Sequence, residues 1–415
     1  MATPVKPINL FEYETLATQH LSQMALDYYA SGAWDEITLR DNRAAFERYK
    51  LCPRMLVDVS QRDLSTKILG QTLPLPILIA PMAFQCLAHP EGEIATAKAA
   101  AKLGSTMILS TLATKSIEEV ANASPITNYQ LPITNYQLWF QLYVHRDRGL
   151  TKALVERAYK AGYQALCLTV DAPVLGKRER DTRNQFVLPP GMELANLKPQ
   201  VSSSALAPCQ DSAQPLLQTT DQVSSSALAP CQNSAQPLLQ TTGKIAYKPG
   251  ESGLFAYFLE QLNPGLTWKD LEWVQSLSPL PLVVKGILRG DDALRAVECG
   301  AKAIIVSNHG GRQLDSAIAS IDALSQIVAA VGDQADILVD GGIRRGTDIL
   351  KALALGAKAV LLGRPILWGL AVAGEAGVQH VIELLRDELD LAMALSGCAK
   401  LQDIDPSLVF RSTPV

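Results

Sequence analysis

Short runs of apolar residues alternate with amphipathic stretches from about residue 70 to about residue 365. Runs such as LPLPILIA (residues 73–80) are apolar almost throughout, as a parallel strand buried on both faces requires. The stretches between them, such as GEIATAKAAAKLG (92–104), have helical periodicity. Several end in a glycine, which can adopt the left-handed conformation that terminates a helix. The apolar runs end at Ala80, Ser110, Val144, Val170, Lys285, Ser307, Asp340 and Gly363.

Eight strand-then-helix units predict an α/β fold, a (β/α)8 barrel over about 70–365. A doubly wound open sheet is the alternative, because the number of strands does not show whether the sheet closes. The residues before about 70 predict an N-terminal helical segment, and those after 366 predict a helical tail. We expect the whole chain, 1–415, to form a single domain.

Two segments are tandem duplications. PITNYQL occurs twice in succession (125–131 and 132–138), and a 22-residue unit at 200–221 recurs at 222–243 with two substitutions. The heptads precede the third strand run. The longer repeat falls between the fourth and fifth runs, within a segment of about 187–266. A loop of that length without its own secondary structure is usually a lid or disordered, so we expect a mobile lid over the top of the barrel.

Composition restricts the possible partners. The 37 basic and 41 acidic residues give a net charge of −4, which argues against nucleic acid or an anionic membrane as a partner. No apolar run reaches the roughly 18 residues of a membrane span, and the first residues lack the apolar region of a secretory signal. The seven cysteines form no CxxC pair, as expected in a reducing compartment. The sequence therefore predicts a cytoplasmic protein.

Polar or conformationally permissive residues follow nearly every predicted strand. In a (β/α)8 barrel the carboxyl ends of the strands meet at the active site. A purely structural barrel has no need for such residues, since a buried lysine or aspartate is costly unless it is paired. The residues at this rim are Pro81, Met82, Ala83, Ser110, Gln141, Tyr143, Thr169, Asp171, Lys285, Ser307, His309, Arg312, Asp340, Gly341, Gly342, Arg344, Gly363 and Arg364.

The last two units have the character of a phosphate site. VDGGIRRG (339–346) follows the seventh run, and LGRP (362–365) follows the eighth. Glycines allow backbone N–H groups to approach the phosphate oxygens, and arginine can donate two hydrogen bonds at once. A plain turn with surface arginines is the alternative. The position on the barrel favours phosphate, because these two loops are where such barrels hold one.

His309 is the candidate base, in the stretch SNHGGRQLD (307–315) after the sixth run. Its ordinary pKa of about 6.5 suits proton abstraction, and Arg312 suits a substrate carboxylate. Asp171 could orient the imidazole, or be an ordinary loop carboxylate. Lys285 would place positive charge near an anionic intermediate or a reduced cofactor. Together they indicate proton removal from a small acid with electrons passed to a cofactor. The other histidines are interpreted as structural: His20, His89, His145 and His380.

Seven separated motifs resemble the FMN-dependent α-hydroxy acid oxidase family, in the family's order from about Tyr28 to Pro365. Within the family the similarity is greatest to bacterial, cyanobacterial L-lactate oxidases and to glycolate oxidases. The resemblance implies an FMN-dependent oxidation of L-lactate to pyruvate with O2 reduced to H2O2. Glycolate oxidation, or a dehydrogenase with another electron acceptor, is the alternative. The motifs are DYYASGAWDE, APMAFQCLAHPEGE, WFQLYV, LTVDAP, VVKGI, SNHGGRQLD and VDGGIRRG.

The resemblance also implies residue roles. His309 would take the hydroxyl proton while Asp171 pairs with it, and Lys285 would face the N1/O2 edge of the flavin. The substrate carboxylate would be bound by Arg312, Arg178, Tyr28 and Tyr143. The flavin ring would be surrounded by Pro81, Met82, Ala83, Ser110, Gln141, Thr169 and Ser307. The phosphate would be held by Asp340, Gly341, Gly342, Arg344, Gly363 and Arg364. Barrels of this family commonly form tetramers or larger assemblies, so a homo-oligomer is expected.

One position departs from the family pattern of plant glycolate oxidases. Where they carry a tryptophan after the second strand, this chain has Leu112 in LSTLATKS (109–116). The smaller side chain should leave room for the methyl group of lactate. A methyl group in a pocket is worth only about 1–3 kcal/mol, so the sequence predicts a preference for lactate rather than an exclusive specificity. An FMN barrel isomerase and an inactive flavin-binding protein are further alternatives.

Overall fold

The computed structural model describes residues 6–123, 137–197 and 260–412. Its strands are β1 Tyr49–Leu51, β2 Thr66–Ile68, β3 Gln71–Leu73, β4 Ile77–Ile79, β5 Thr106–Leu109, β6 Gln137–Leu142, β7 Ala165–Thr169, β8 Leu282–Ile287, β9 Ala303–Val306, β10 Asp336–Asp340, β11 Ala359–Leu362 and β12 Val409–Arg411. Its helices are α1 Leu10–His20, α2 Gln23–Ala30, α3 Ile37–Ala44, α4 Gly92–Leu103, α5 Ile117–Ala123, α6 Arg148–Lys160, α7 Glu179–Arg183, α8 Trp268–Ser276, α9 Gly290–Glu298, α10 Ser320–Val331, α11 Gly346–Ala354 and α12 Arg364–Leu395.

Strands β4 to β11 form a closed parallel barrel in which β11 pairs with β4. Closure confirms the (β/α)8 prediction and excludes the open sheet. The strands are buried on both faces, which explains why their sequences are apolar rather than alternating. All of these elements belong to one compact unit, Met1–Asn196 with Ile245–Val415. The assignment of the whole chain to a single domain stays a prediction.

The barrel interior is a packed core with a plug at one end. The β2–β3 hairpin contributes Ile68 and Leu73 to that core, and Leu69 N donates to the carboxylate of Asp336 at the start of β10. The hairpin therefore lies across the amino ends of the strands, and the opposite end remains for chemistry. The barrel residues of the core are Leu78, Ala80, Ile108, Trp139, Ala165, Cys167, Val283, Ala303, Ile305, Leu338, Ala359 and Leu361.

Helix α4 ends as its sequence predicts. Gly104 has φ +64°, and its N–H donates to the Ala100 and Ala101 carbonyls. A glycine adopts this left-handed conformation without the steric cost that a side chain adds. Over the described ranges, no helix is both long enough and apolar enough to cross a membrane.

The two ends of the chain are less purely helical than predicted. The segment before residue 70 contains β1 and part of the β2–β3 hairpin, and the tail after 366 ends in β12, which pairs antiparallel with β1. Three-residue strands are too short to show the alternation of apolar and polar residues that identifies a strand. They form strands because they pair with each other. Helix α12 is also interrupted at Ala373 and Gly374, which have non-helical dihedral angles. The heptad copies up to residue 136, the whole 22-residue repeat and most of the predicted lid lie outside the described residues.

The N-terminal segment packs against the loops that follow β9 and β10. The side-chain amides of Asn42 in α3 and Asn308 exchange two hydrogen bonds of 2.9 and 2.7 Å. Ala33 N donates to the carbonyl of Gly311. These contacts fix the loop that carries His309 against a second element.

Candidate active site

One cavity opens at the carboxyl ends of the barrel strands, with a free volume of about 1060 Å³ when open solvent at its mouth is included. It is lined by nineteen of the twenty-one site residues predicted from the sequence. Asp171 and Ser307 are the two exceptions, and each contacts a residue that does line the cavity. The lining residues among those predicted are Tyr28, Pro81, Met82, Ala83, Ser110, Leu112, Gln141, Tyr143, Thr169, Arg178, Lys285, His309, Arg312, Asp340, Gly341, Gly342, Arg344, Gly363 and Arg364.

His309 and Asp171 form a buried pair. Nδ1 of the imidazole lies 2.8 Å from Asp171 Oδ1, so the second ring nitrogen, Nε2, is left to exchange a proton with a ligand. Burial lowers the pKa of His309, and the nearby Asp171 charge opposes this effect without cancelling it. Burial alone would raise the pKa of Asp171, but His309 and Lys285 lower it overall. The imidazole is therefore neutral and the carboxylate ionised near neutral pH, which is the state that a base requires.

The backbone around this pair is unusual. His309 has φ +60°, a left-handed conformation that costs a residue with a side chain about 1 kcal/mol or more. The carboxylate of Asp171 can approach because Gly286 has no side chain: a Cβ there would lie 2.6 Å from Asp171 Cβ. Since Gly286 lies one residue beyond Lys285, β8 determines the position of both the lysine and the carboxylate.

Lys285 is buried with two partners that are distant in the sequence. Its Nζ donates to Ser307 Oγ at 2.9 Å and lies 3.6 Å from Asp340 Oδ2. Burial would lower the pKa of Lys285, but the charges of Asp340 and Asp171 outweigh burial and raise it. The sequence showed no acidic partner nearby, and the barrel supplies Asp340 from the end of β10. A carboxylate repels phosphate, so the backbone after Asp340 suits the predicted phosphate better than its side chain does.

Arginines converge on the same cavity. Arg312 Nη1 donates to the carbonyls of Tyr28 and Ser31 at 2.6 and 2.9 Å, and its guanidinium lies over the Tyr28 ring. Burial, followed by repulsion from Arg312, lowers the pKa of Arg178 to about 10. The same two causes lower that of Arg364 to about 9. Buried cations that repel one another are stabilised by an anion, so this arrangement favours anionic ligands.

The cavity has room and donors for a flavin ring. Lys285, Gln141 and Thr169 all line the cavity at the strand ends. Gln141 Nε2 and Thr169 Oγ1 are buried without a hydrogen-bond partner among the described residues. The opposite side of the Gln141 amide is fixed, because Oε1 accepts from Thr111 N at 3.1 Å. Buried donors without partners are rare unless a ligand satisfies them. The oxygen-rich pyrimidine edge of FMN fits this donor set.

The loops after β10 and β11 leave backbone exposed to the cavity. Gly341 and Gly342 have φ +100° and +80°, and a Cβ on Gly363 would meet no described atom within 4 Å. Burial lowers the pKa of Arg344, which lies 3.7 Å from Glu14 of α1. In Arg364, by contrast, three nitrogens donate to the carbonyls of Tyr29, Gly310 and Ser31. The glycines and Arg344 therefore fit a phosphate, while Arg364 also fastens α2 to the His309 loop.

Sequence reasoning missed several residues that shape this site. Phe186 is buried and stacks on Tyr28 with ring centroids 4.4 Å apart, and the hydroxyl of Tyr29 donates to the carbonyl of Phe84. Glu93 is fully buried and accepts hydrogen bonds from the backbone N–H groups of Gln85 and Thr114. It thereby ties together the loops that follow β4 and β5. Tyr29, Phe84 and Glu93 lie within motifs noted in the sequence, but no local signal showed their contacts.

The four histidines interpreted as structural do not line the cavity described here. His380 Nδ1 contacts the Tyr13 hydroxyl at 2.8 Å, and burial lowers the pKa of His145 to about 4. Across the three described ranges, no cluster of His, Cys, Asp or Glu could hold a metal ion.

Known proteins share this architecture and sequence. A family model described as FMN-dependent dehydrogenase matches residues 17–411. The chain is 65% identical over 403 residues to the L-lactate oxidase of Nostoc sp., covering 97% of this chain and 98% of that protein. It is 46% identical over 404 residues to 2-hydroxyacid oxidase 1 of Homo sapiens, covering 97% and 96%. It is also 46% identical over 396 residues to glycolate oxidase 1 of Zea mays, covering 95% and 94%.

A solved structure has the same fold. The crystal structure of mandelate oxidase with (S)-4-hydroxymandelic acid superposes with a TM-score of 0.80 at 38% identity. The superposition covers 96% of this chain and 97% of that one. The match extends over both the barrel and the elements outside it.

Proposed function

The chain belongs to the family of FMN-dependent dehydrogenases and is an FMN-dependent 2-hydroxy acid oxidase, and from this premise we propose that it converts L-lactate to pyruvate with oxygen as the electron acceptor. The observation that carries the proposal is the 2.8 Å pair of His309 and Asp171 in a cavity that Arg178, Arg312 and Leu112 also line. A base, a carboxylate clamp and a small apolar wall match the three parts of lactate: its hydroxyl, its carboxylate and its methyl group.

The carboxylate of lactate would bind to Arg178 and Arg312. Arginine suits this role because its planar donors match a carboxylate in pairs. Tyr28 and Tyr143 also line the cavity, and burial raises the pKa of both phenols, so their hydroxyls stay protonated donors. Binding at the carboxylate presents the α-carbon and its hydroxyl to His309.

His309 would take the proton of the substrate hydroxyl at Nε2. As the imidazole becomes charged, the ionised Asp171 at Nδ1 stabilises it and keeps the ring oriented. Bound FMN would supply the acceptor for the α-hydrogen and the two electrons that leave the α-carbon with it. Lys285, held by Ser307 and Asp340, keeps a fixed positive charge at the cavity floor that would balance negative charge on the cofactor. The flavin ring of FMN would be held by Lys285, Gln141 and Thr169. Its phosphate would be held by Gly341, Gly342, Gly363 and Arg344.

The experiment is peroxide release in air by the purified protein, with L-lactate and glycolate compared at equal concentrations. We expect faster peroxide release with lactate. Equal or faster release with glycolate would contradict the substrate assignment, and relatives named glycolate oxidases make that the second candidate. Flavin bleaching by lactate under nitrogen, without peroxide release in air, would contradict oxygen as the acceptor and indicate a dehydrogenase.

We further propose a cytoplasmic homotetramer. The resemblance to a family of oligomeric barrels supports the tetramer. The balanced net charge and the absence of a membrane-spanning helix over the described ranges support the location. Light scattering on the purified holoenzyme measures the mass directly, and a monomer at micromolar concentration would contradict it.

A further inference from the structure

Asp181 is a buried carboxylate next to the arginine clamp, the pair of Arg178 and Arg312 that would bind the substrate carboxylate. It lies in α7, and its Oδ2 is 3.8 Å from Nη1 of Arg178, with the two side chains only 6% and 5% exposed. Arg178 lines the cavity, whereas Asp181 is not among the residues that line it. Its Oδ1 is buried without a hydrogen-bond partner within the described part of the chain. The proposed chemistry gives this carboxylate no role.

The negative charge of Asp181 is only partly offset by the positive charges around it. Burial raises the pKa of Asp181, and the attraction of Arg312 and Arg178 only partly opposes the rise. Arg178 is itself repelled by Arg312. With all three groups ionised, the two guanidinium groups and the one carboxylate carry a net charge of +1 beside the cavity. A ligand carboxylate that enters the clamp must share Arg178 with Asp181, and the two carboxylates repel each other.

We propose that Asp181 is a positioning residue that pairs with Arg178 from outside the cavity. In this role it competes with the carboxylate of a bound 2-hydroxy acid for the positive charge of Arg178. This role limits the affinity of the site for the substrate and for its keto-acid product. A product that keeps its carboxylate would otherwise stay bound to both arginines. The proposal rests on the proposed function, since it assigns the clamp to the carboxylate of the substrate.

Other contacts hold α7 in place without Asp181. Arg180 Nη2 lies 2.7 Å from Glu36 Oε2, and Asn184 Nδ2 donates to Asp27 Oδ2 at 2.5 Å. Phe186 stacks on Tyr28, and its N–H donates to the backbone carbonyl of Asp181, which a substitution retains. Asp181→Asn preserves the shape of the side chain and removes its charge, so the variant should fold and bind FMN.

The test is an equilibrium titration of FMN-loaded wild type, Asp181→Asn and the control variant Glu179→Gln. Glu179 is also an acidic residue of α7, but it is exposed and does not line the cavity. Oxalate is the anionic probe, L-lactamide is the matched neutral probe, and the flavin absorbance reports binding. In Asp181→Asn we expect the Kd of oxalate to fall on the order of tenfold, as loss of one nearby like charge in a partly shielded site implies. The Kd of L-lactamide should be unchanged in both variants.

Steady-state kinetics give a second readout. In Asp181→Asn the KM for lactate should fall while kcat does not rise, which a loosened fold would not produce. An equal change for oxalate and L-lactamide, or weaker oxalate binding, would overturn the proposal. If Asp181→Asn retains no FMN, then Asp181→Glu decides: oxalate affinity close to wild type supports competition between the carboxylates, and tighter binding overturns it. Because the titration needs no turnover, a protein that binds oxalate as expected but releases no peroxide with lactate refutes only the proposed function.

Discussion

The imidazole of His309 and the carboxylate of Asp171 meet at 2.8 Å although they are 138 positions apart in the chain. Asp171 follows β7 and His309 follows β9, and β8 lies between these strands in the barrel. Gly286 in β8 leaves the space through which the carboxylate reaches the ring. The pair therefore depends on three neighbouring strands, and the lateral pairing of β7, β8 and β9 brings the two residues together.

His309→Gln should keep FMN bound and abolish its reduction by lactate. Glutamine can occupy the site but cannot accept the proton, and general base catalysis contributes about 10²- to 10⁴-fold. The measurement is the rate of flavin bleaching by L-lactate under nitrogen, with the FMN content determined from the same sample. Bleaching at the wild-type rate would remove His309 from the role of base.

Asp171→Asn should lower kcat and move the acidic limb of the kcat/KM profile to lower pH. Burial lowers the pKa of His309 and Asp171 raises it, so loss of the carboxylate lets that pKa fall further. The base then stays neutral to lower pH, while its charged form loses its stabilising partner and the maximum rate falls. The profile is measured with lactate between pH 4.5 and 9, a window of roughly two units on either side of the ordinary histidine value. A limb that moves to higher pH would contradict this account.

Leu112→Trp should shift the preference toward glycolate. Leu112 is buried and lines the cavity, so an indole would fill the space assigned to the methyl group of lactate. The ratio of kcat/KM for lactate to that for glycolate should fall about tenfold, the size of effect expected for one methyl group. Leu112→Met, which conserves volume, is the matched control and should change the ratio little. An unchanged ratio in the tryptophan variant would show that other residues determine the preference.

Gly342→Ala should destabilise the protein. Its Cβ would overlap the carbonyl oxygen of Asn42, and its φ is +80°. Gly70→Ala is the control, since Gly70 has the same φ but no heavy atom within 4 Å of the added Cβ. Strain alone costs about 1 kcal/mol, so we expect a loss of about 1 kcal/mol for Gly70→Ala and at least about twice that for Gly342→Ala. Denaturant unfolding of both variants measures the difference, and equal losses would show that α3 moves away from the loop at little cost.

Gly363→Ala should weaken FMN binding without unfolding the barrel. No described heavy atom lies within 4 Å of the added Cβ, so the methyl group would occupy only the space assigned to the phosphate. We expect the Kd of FMN to rise at least about tenfold, because a backbone donor would lose its approach to the phosphate. Riboflavin, which has no phosphate, is the matched ligand, and its affinity should not change. An equal loss for both flavins would place the phosphate elsewhere.

The sequence alone determined the eight strand-then-helix units and the rim of candidate residues, whereas closure of the sheet into a barrel is seen only in the structure. Continuous apolar runs and helical periods are local patterns, and each strand end brings its own residue to the same rim, so no long-range information is needed to list Lys285 or His309. The short strands β1 and β12 could not be predicted, because three residues carry no period and each strand exists through pairing with the other.

Only the tertiary structure decided which rim residues are partners. Lys285 has Asp340 as its counter-charge, Asn42 pairs with Asn308, and Asp181 lies behind Arg178. The first two pairs join elements that are remote in the chain. The third joins residues three positions apart, yet its meaning depends on Arg312 and on burial by neighbouring segments. Coulomb energies and desolvation depend on distances and enclosure after the barrel closes, and spacing along the sequence does not encode these quantities.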